Sequence, residues 1–124
     1  MSYVTKNFDL DEFACPCCGK TPDSISALRL AIPLEGMRKD LGLPIIITSG
    51  FRCAAHNADV GGVSNSQHLL GNAVDIYSDG VSACALAILA YRHGFRSIGI
   101  GSDFIHVDMR GFGDKFNLGS IWHY

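Results

Sequence analysis

The sequence predicts an α+β domain, with helices packed on a small antiparallel sheet, and three observations carry that expectation. Four short β-branched or apolar runs read as strands, and the alanine- and leucine-rich helical segments stand apart from them. A tight turn of glycine, serine and aspartate joins the last two strands.

In chain order, Asp23 or Ser24 caps a helix that runs through Ile25, Leu28, Ala31, Ile32, Leu34, Glu35 and Met37. Gly42 stops it, with Pro44 close behind. Pro33 lacks an amide hydrogen and predicts a kink or a restart near Ile32. Residues 44–49, Pro-Ile-Ile-Ile-Thr-Ser, read as a buried strand ending at Gly50, which leaves Arg52 just past its carboxyl end. A brief helix over residues 54–59 leads to Gly61-Gly62, and residues 63–67 read as a loop. Residues 73–77 form a second strand. Residues 81–93 form a helix closed by Gly94. Residues 97–101 and 104–109 are two more strands, joined by Gly101-Ser102-Asp103. No internal repeat or low-complexity segment interrupts this order.

The 124 residues, 48% of them hydrophobic, suit one domain over residues 1–124 with a single core. Ten Lys and Arg against twelve Asp and Glu, with no run of like charge, make nucleic acid a poor partner. No stretch of about 18 apolar residues is present, and residues 1–8 lack the apolar core of a signal peptide. The expectation is a monomer, cytoplasmic as synthesised, without stable membrane association. Five cysteines, an odd and unevenly placed set, disfavour a disulfide framework. Cys15, Cys17 and Cys18 could give thiolates to a second, structural metal with Cys53 as a further ligand. The alternative is that they serve as small buried hydrophobes. Cys84, in an apolar helical run, is expected in the core.

The most informative segment is Ser66-Gln67-His68-Leu69-Leu70-Gly71-Asn72-Ala73-Val74-Asp75, followed by Ile105-His106-Val107-Asp108. It offers two imidazoles and a carboxylate, the nitrogen and oxygen chemistry of an open zinc site. Three protein ligands leave zinc's fourth position to water, whose pKa the metal lowers to roughly 7. Strand alternation puts Asp75 and Ala73 on one face, with Val74 and Ile76 on the other. The same parity joins His106 to Asp108 and sends Ile105 and Val107 to the core. Gly71 permits the reversal that brings His68 to Asp75. His56, His93 and His123 lie in no such pattern and are expected as ordinary hydrogen-bonded residues. Gly61-Gly62 reads as a turn, having no phosphate-loop lysine. Ser66 is expected to hydrogen-bond the loop or a ligand rather than act as a nucleophile.

Ser-x-His-x-x-Gly-x-Ala-x-Asp followed by His-x-Asp resembles the zinc D-alanyl-D-alanine carboxypeptidase family. That family includes dipeptidases and phage L-alanyl-D-glutamate endopeptidases and shares its fold with the hedgehog signalling domain. Ser49-Gly50-Phe51-Arg52-Cys53, Asn57, Gly61-Gly62 and the segment from Phe8 to Cys15 extend the resemblance over about residues 8–110. It implies a hedgehog/DD-peptidase-like fold, with Zn2+ held by His68, Asp75 and His106. It further implies a peptidoglycan stem peptide as substrate, cut at D-Ala-D-Ala or at L-Ala-D-Glu. A phage or prophage lysis enzyme, released by a partner that permeabilises the membrane, fits the small size and the missing signal.

A zinc peptidase also needs a general base. Some phage endopeptidases of the family use Asp-x-x-His, which Asp103-Phe104-Ile105-His106 resembles, whereas the dipeptidases use Glu-x-x-His. The carboxypeptidase branch has His-x-His, with a histidine where this chain has Phe104. Three residues of regular strand would put Asp103 opposite His106, yet it lies at a turn where alternation need not hold. Asp103 is therefore favoured, with Asp108 either the base instead or a partner that orients a ligand. Arg52, which the family has in the same Gly-aromatic-Arg position, is the candidate to grip a carboxylate or polarise the scissile carbonyl. A surface salt bridge is the plain alternative. Trp122 and Tyr124 could wall the cleft, although packing suits Trp122 equally. Two other classes stay open: a non-catalytic zinc-bearing cell-wall-binding module, and a structural part of a virion.

Overall fold

The structure is a computed structural model and describes residues 3–62, 66–110 and 119–124. Helix α1 (Ser24–Leu41) begins where the Asp23 carboxylate accepts the Ser26 N–H at 2.9 Å, and ends at Gly42 in the left-handed region, φ 71°. Ala27, Leu30, Ala31, Leu34 and Met37 form its buried stripe at helical spacing. Ile25, Leu28 and Ile32, which belong to the same apolar pattern in the sequence, face outward. The helix continues across Pro33 with no restart. One missing backbone hydrogen bond is outweighed by burial of Leu30, Ala31, Leu34 and Met37 on either side of it. Leu34→Ala should destabilise the protein by about 2–5 kcal/mol. Urea titration would show this as a lower midpoint at unchanged slope.

The main sheet contains β3 (Ile46–Ser49), β4 (Ala73–Tyr77), β5 (Ser97–Ile100), β6 (Ile105–Asp108) and β7 (Ser120–His123), in the order β3-β4-β6-β5-β7. The first three pairings are antiparallel, as expected, whereas β7 runs parallel to β5. The α+β class therefore stands, but the five-stranded sheet is mixed. Strand β3 is an edge, half-buried with Thr48 exposed, rather than the buried strand its β-branched run suggested. An edge strand has a neighbour on one side only.

Helix α3 (Ala83–Arg92), capped by Ser82, buries Ala83, Leu86, Ala87 and Ala90. Cys84 is exposed, contrary to expectation, because one residue of helix turns it about 100° off that stripe. Leu30, Leu34 and Met37 of α1 join Leu86 and Ala90 of α3 in one core with Val74, Ile76, Ile98, Ile105 and Val107 of the sheet. Alternation along β4 and β6 leaves Asp75, His106 and Asp108 on the other face.

Ahead of α1, a hairpin of β1 (Tyr3–Thr5) and β2 (Phe8–Asp9) leads into a one-turn 3-10 helix, Leu10–Phe13, opened by a capping box of Asp9 and Glu12. This segment buries Phe8 and Phe13. The Phe13 carbonyl accepts the Phe51 N–H at 2.8 Å, just past β3. Gly50 makes that approach possible, since a Cβ there would lie 2.7 Å from the Phe13 oxygen. A second short helix, α2 (Ala54–Asp59), follows the Arg52 corner. Among the described residues no helix is long and apolar enough to cross a membrane.

Candidate metal centre

Strand register brings the first two side chains together: Asp75 on β4 is paired directly with His106 on β6. His68 arrives on a separate 3-10 turn, Gln67–Leu70, whose first amides are capped by Ser66; its Oγ accepts the His68 N–H at 3.2 Å. Gly71, at φ 68°, then turns the chain into β4, and a Cβ there would collide with Pro22 at 2.6 Å. Of the loop expected over residues 63–67, residues 63–65 lie outside the described residues, and Gln67 already belongs to the turn.

The resulting geometry is that of a tetrahedron's face. His68 Nε2 lies 3.2 Å from His106 Nδ1 and 3.3 Å from Asp75 Oδ1, and His106 Nδ1 lies 3.1 Å from the same oxygen. Tetrahedral ligands at zinc distances of about 2.0–2.1 Å stand about 3.3 Å apart. The outer nitrogens fix the tautomers. His68 Nδ1 is 2.7 Å from the Gly50 carbonyl oxygen, which can only accept, so the proton sits there and Nε2 keeps its lone pair. His106 Nε2 is 2.7 Å from Asp108 Oδ2, which likewise leaves the lone pair on Nδ1. Two lone pairs and a carboxylate oxygen facing one another repel unless a cation or a proton lies between them. Two imidazoles and one carboxylate, with a fourth corner open, are a donor set that suits zinc.

The electrostatics agree. Burial opposes the charge of Asp75, but hydrogen bonds and charge from His106 and His68 hold its carboxyl well below the usual carboxylate range. Burial also disfavours a charged His106, yet hydrogen bonds to Asp108 and Asp75 outweigh it and raise the imidazole's pKa, so a proton and a metal compete for Nδ1. Burial likewise works against Asp108, and hydrogen bonds from His106 and Arg110 overcome it and keep that carboxyl ionised. Arg110 donates from Nη2 at 2.7 Å and from Nε and its backbone N–H at 3.0 Å each. Asp108 is thus engaged on both oxygens, orienting His106.

The triad lies in a cleft of about 430 Å³ that is also lined by Arg52, Trp122 and Tyr124. Arg52 is no surface salt bridge. Its Nη2 is 3.5 Å from Asp75 Oδ2, its Nε donates to Ser49 Oγ at 3.1 Å, and its Nη1 donates to buried Asn57 Oδ1 at 3.2 Å. The Trp122 ring stands 5.6 Å from the His106 ring, and Tyr124 stacks on Phe104 at 5.6 Å. Asp103 is not brought into this cleft. It is exposed on the turn before β6 and lines a neighbouring depression with Thr48 and Ser78, while Phe104 borders both. His93 pairs with Asp40 at 2.8 Å, away from the triad.

The sequence reading missed the Gly50 carbonyl, Ser49 as a prop for Arg52, and Arg110 as the partner of Asp108. Ser49 stood in view beside Arg52 in Ser49-Gly50-Phe51-Arg52; a backbone carbonyl leaves no side-chain signal. A second group of ligating atoms, the sulfurs of Cys15, Cys18 and Cys53, lies together elsewhere, within 4.8 Å of one another. Burial pushes the Cys15 thiol up, but backbone hydrogen bonds from Cys53, Cys18 and Cys17 bring it down from 9.0 to about 6.

A zinc D-Ala-D-Ala carboxypeptidase of Streptomyces albus G is 44% identical to this chain over 66 residues, which cover 52% of the chain and 26% of that protein. The chain therefore spans about a quarter of the length of the curated relative it matches. The peptidase M15 family model matches residues 6–108, a stretch that runs from the amino-terminal hairpin to the end of β6. With that stretch containing the whole triad, the chain belongs to the peptidase M15 family.

Proposed function

We propose that the chain is a zinc-dependent peptidase that hydrolyses the stem peptides of peptidoglycan. The observation that carries the reading is the convergence of His68 Nε2, His106 Nδ1 and Asp75 Oδ1 at tetrahedral spacing in a cleft that also holds a guanidinium. The relative's activity on D-Ala-D-Ala supports the substrate class. His68, Asp75 and His106 hold the ion, and zinc bound there supplies Lewis acidity and a water acidified to roughly neutral pKa.

The chain's own groups do the rest. Arg52, aimed by Ser49 and Asn57, receives the negative charge that develops on the scissile carbonyl oxygen, or the substrate's carboxylate. Asp103 takes the proton of the attacking water and returns it to the departing amine. Support for Asp103 over Asp108 is the full engagement of Asp108 by His106 and Arg110; Asp103 stands exposed in the neighbouring depression and has to reach past Phe104 into the cleft. Catalytic hydrogen bonds are often long in a free enzyme and tighten with substrate. Trp122 and Tyr124 wall one side of the cleft. The protein works as a monomer and, as a phage or prophage lysis enzyme, acts on the cell wall.

Defined stem peptides incubated with zinc-loaded protein and read by mass spectrometry test this. Loss of one terminal D-Ala marks a carboxypeptidase, and separation of L-Ala from D-Glu marks an endopeptidase. Intact peptides beside fully zinc-loaded protein would overturn the enzyme reading in favour of a binding or structural module. Arg52→Ala should lower kcat by about 10²–10³-fold at unchanged zinc content, the loss typical of one oxyanion donor.

A further inference from the structure

Outside the cleft, the loop Cys15-Pro16-Cys17-Cys18-Gly19 folds back on itself. The Gly19 N–H donates to the Cys15 carbonyl at 2.8 Å, the Cys15 N–H donates to the Lys20 carbonyl at 2.7 Å, and Gly19 takes a left-handed φ of 74°. That turn presents Cys15 and Cys18 on one side with two residues between them, the Cys-x-x-Cys spacing of structural zinc sites. The third sulfur comes from Cys53, far away in sequence at the start of α2, and all three lie within 4.8 Å of one another. None is in a disulfide.

Backbone amides are already directed at the sulfurs. The Cys53 N–H donates to Cys15 Sγ, and the His56 N–H donates to Cys53 Sγ, each at 3.5 Å. Sulfur accepts such bonds best as thiolate, the form that ligates metals. The Cys17 side chain in turn hydrogen-bonds with that of Cys53. Three sulfurs are thus gathered around one point with Cys17 beside Cys53, and none of these cysteines lines the His68–Asp75–His106 cleft.

We propose that Cys15, Cys18 and Cys53, completed by Cys17, bind a structural zinc ion that clamps the amino-terminal segment to the corner between β3 and α2. Each coordinating thiol releases its proton to solvent on binding, and no oxidant or reductant takes part. Protein sulfur fills every position, so the site is closed to substrate. Its effect on the cleft runs through Arg52. The clamp fixes Cys53 on one side of it, while the Phe13 carbonyl fixes Phe51 on the other.

Elemental analysis of the full chain, purified under reducing conditions, is expected to find about two zinc ions per molecule. The double variant His68→Ala/His106→Ala should keep one of them. Its cobalt-substituted form should show a thiolate-to-cobalt charge-transfer band that disappears when Cys15→Ser and Cys53→Ser are added. Because this readout uses neither the histidine site nor activity, it separates failure of the clamp from failure of the peptidase reading. Should the double variant fold poorly, the same band in the cobalt form of the unaltered chain supports the clamp. Cys17→Ser should make this ion easier to strip with a chelator; unchanged resistance would remove Cys17 from the set. Absence of the band from the unaltered chain, or a disulfide among these cysteines in the unreduced native protein, would overturn the proposal.

Discussion

His106→Ala is expected to reduce zinc at the cleft from about one equivalent to none and to bring stem-peptide hydrolysis to background. The size of the effect follows from where the ring sits. In the proposed ligand set Nδ1 supplies one corner of the metal face, and Nε2 donates to Asp108, so one imidazole separates two carboxylates that both lie largely out of solvent. Alanine removes a ligand and leaves Asp75 and Asp108 charged with nothing between them. Removing one partner from a buried ionic cluster costs about 3–5 kcal/mol, so the variant should also unfold at lower urea. His106→Gln keeps the volume and should recover part of the stability but none of the turnover. Zinc content, urea midpoint and hydrolysis measured on the two variants together separate these losses, and a His106→Ala protein that still hydrolyses stem peptide would refute the assigned ligand set.

Asp103→Asn should lower kcat by about 10²–10⁴-fold, the usual contribution of a general base, while zinc content stays the same. Asp108→Asn should behave differently. Its carboxylate holds the His106 tautomer and is itself held by Arg110, so its loss should weaken zinc binding by about 10–100-fold and be largely repaired by excess zinc. Titrating zinc into each variant while following kcat distinguishes the two. If Asp108→Asn keeps a large kcat deficit at saturating zinc and Asp103→Asn has none, the two residues exchange roles. A carboxylate held on both oxygens is poorly placed to shuttle protons, and one that stands in the neighbouring depression has to reach past Phe104 to do so.

How much of this was legible in the sequence depended on whether a residue's role left a local signal. Strands β4 and β6 were readable because alternation along Ala73-Val74-Asp75-Ile76 and Ile105-His106-Val107-Asp108 separates polar from apolar side chains cleanly. Their direct pairing follows from turn and register, which the alternation only constrains. Helix α1 was found, but its inward stripe only in part: Ala31, Leu34 and Met37 were named together with Ile25, Leu28 and Ile32, which make the outer face apolar as well. At Pro33 the restart did not occur, because packing on both sides carried the helix across it. The hairpin of β1 and β2 has strands of three and two residues, too short to carry a period. Strand β7 is mostly exposed and joins the sheet through a parallel pairing with β5, so its partner is invisible locally. For Asp103, the Asp-x-x-His spacing named the residue, yet spacing alone could not say on which side of Phe104 the carboxylate would stand.

The facing positions of Asp75 and His106 on adjacent strands also bear on how the chain finds its native alignment. Sliding β6 by one residue would turn its imidazole to the helix-covered side, and sliding it by two would carry the ring about 7 Å along the ladder from its acidic partner. Neither misalignment can be bridged by one small divalent ion. With the proposed ligand set, zinc present during refolding should act as a proofreader, rewarding the single pairing it can chelate and leaving slipped β4–β6 pairings free to come apart and try again.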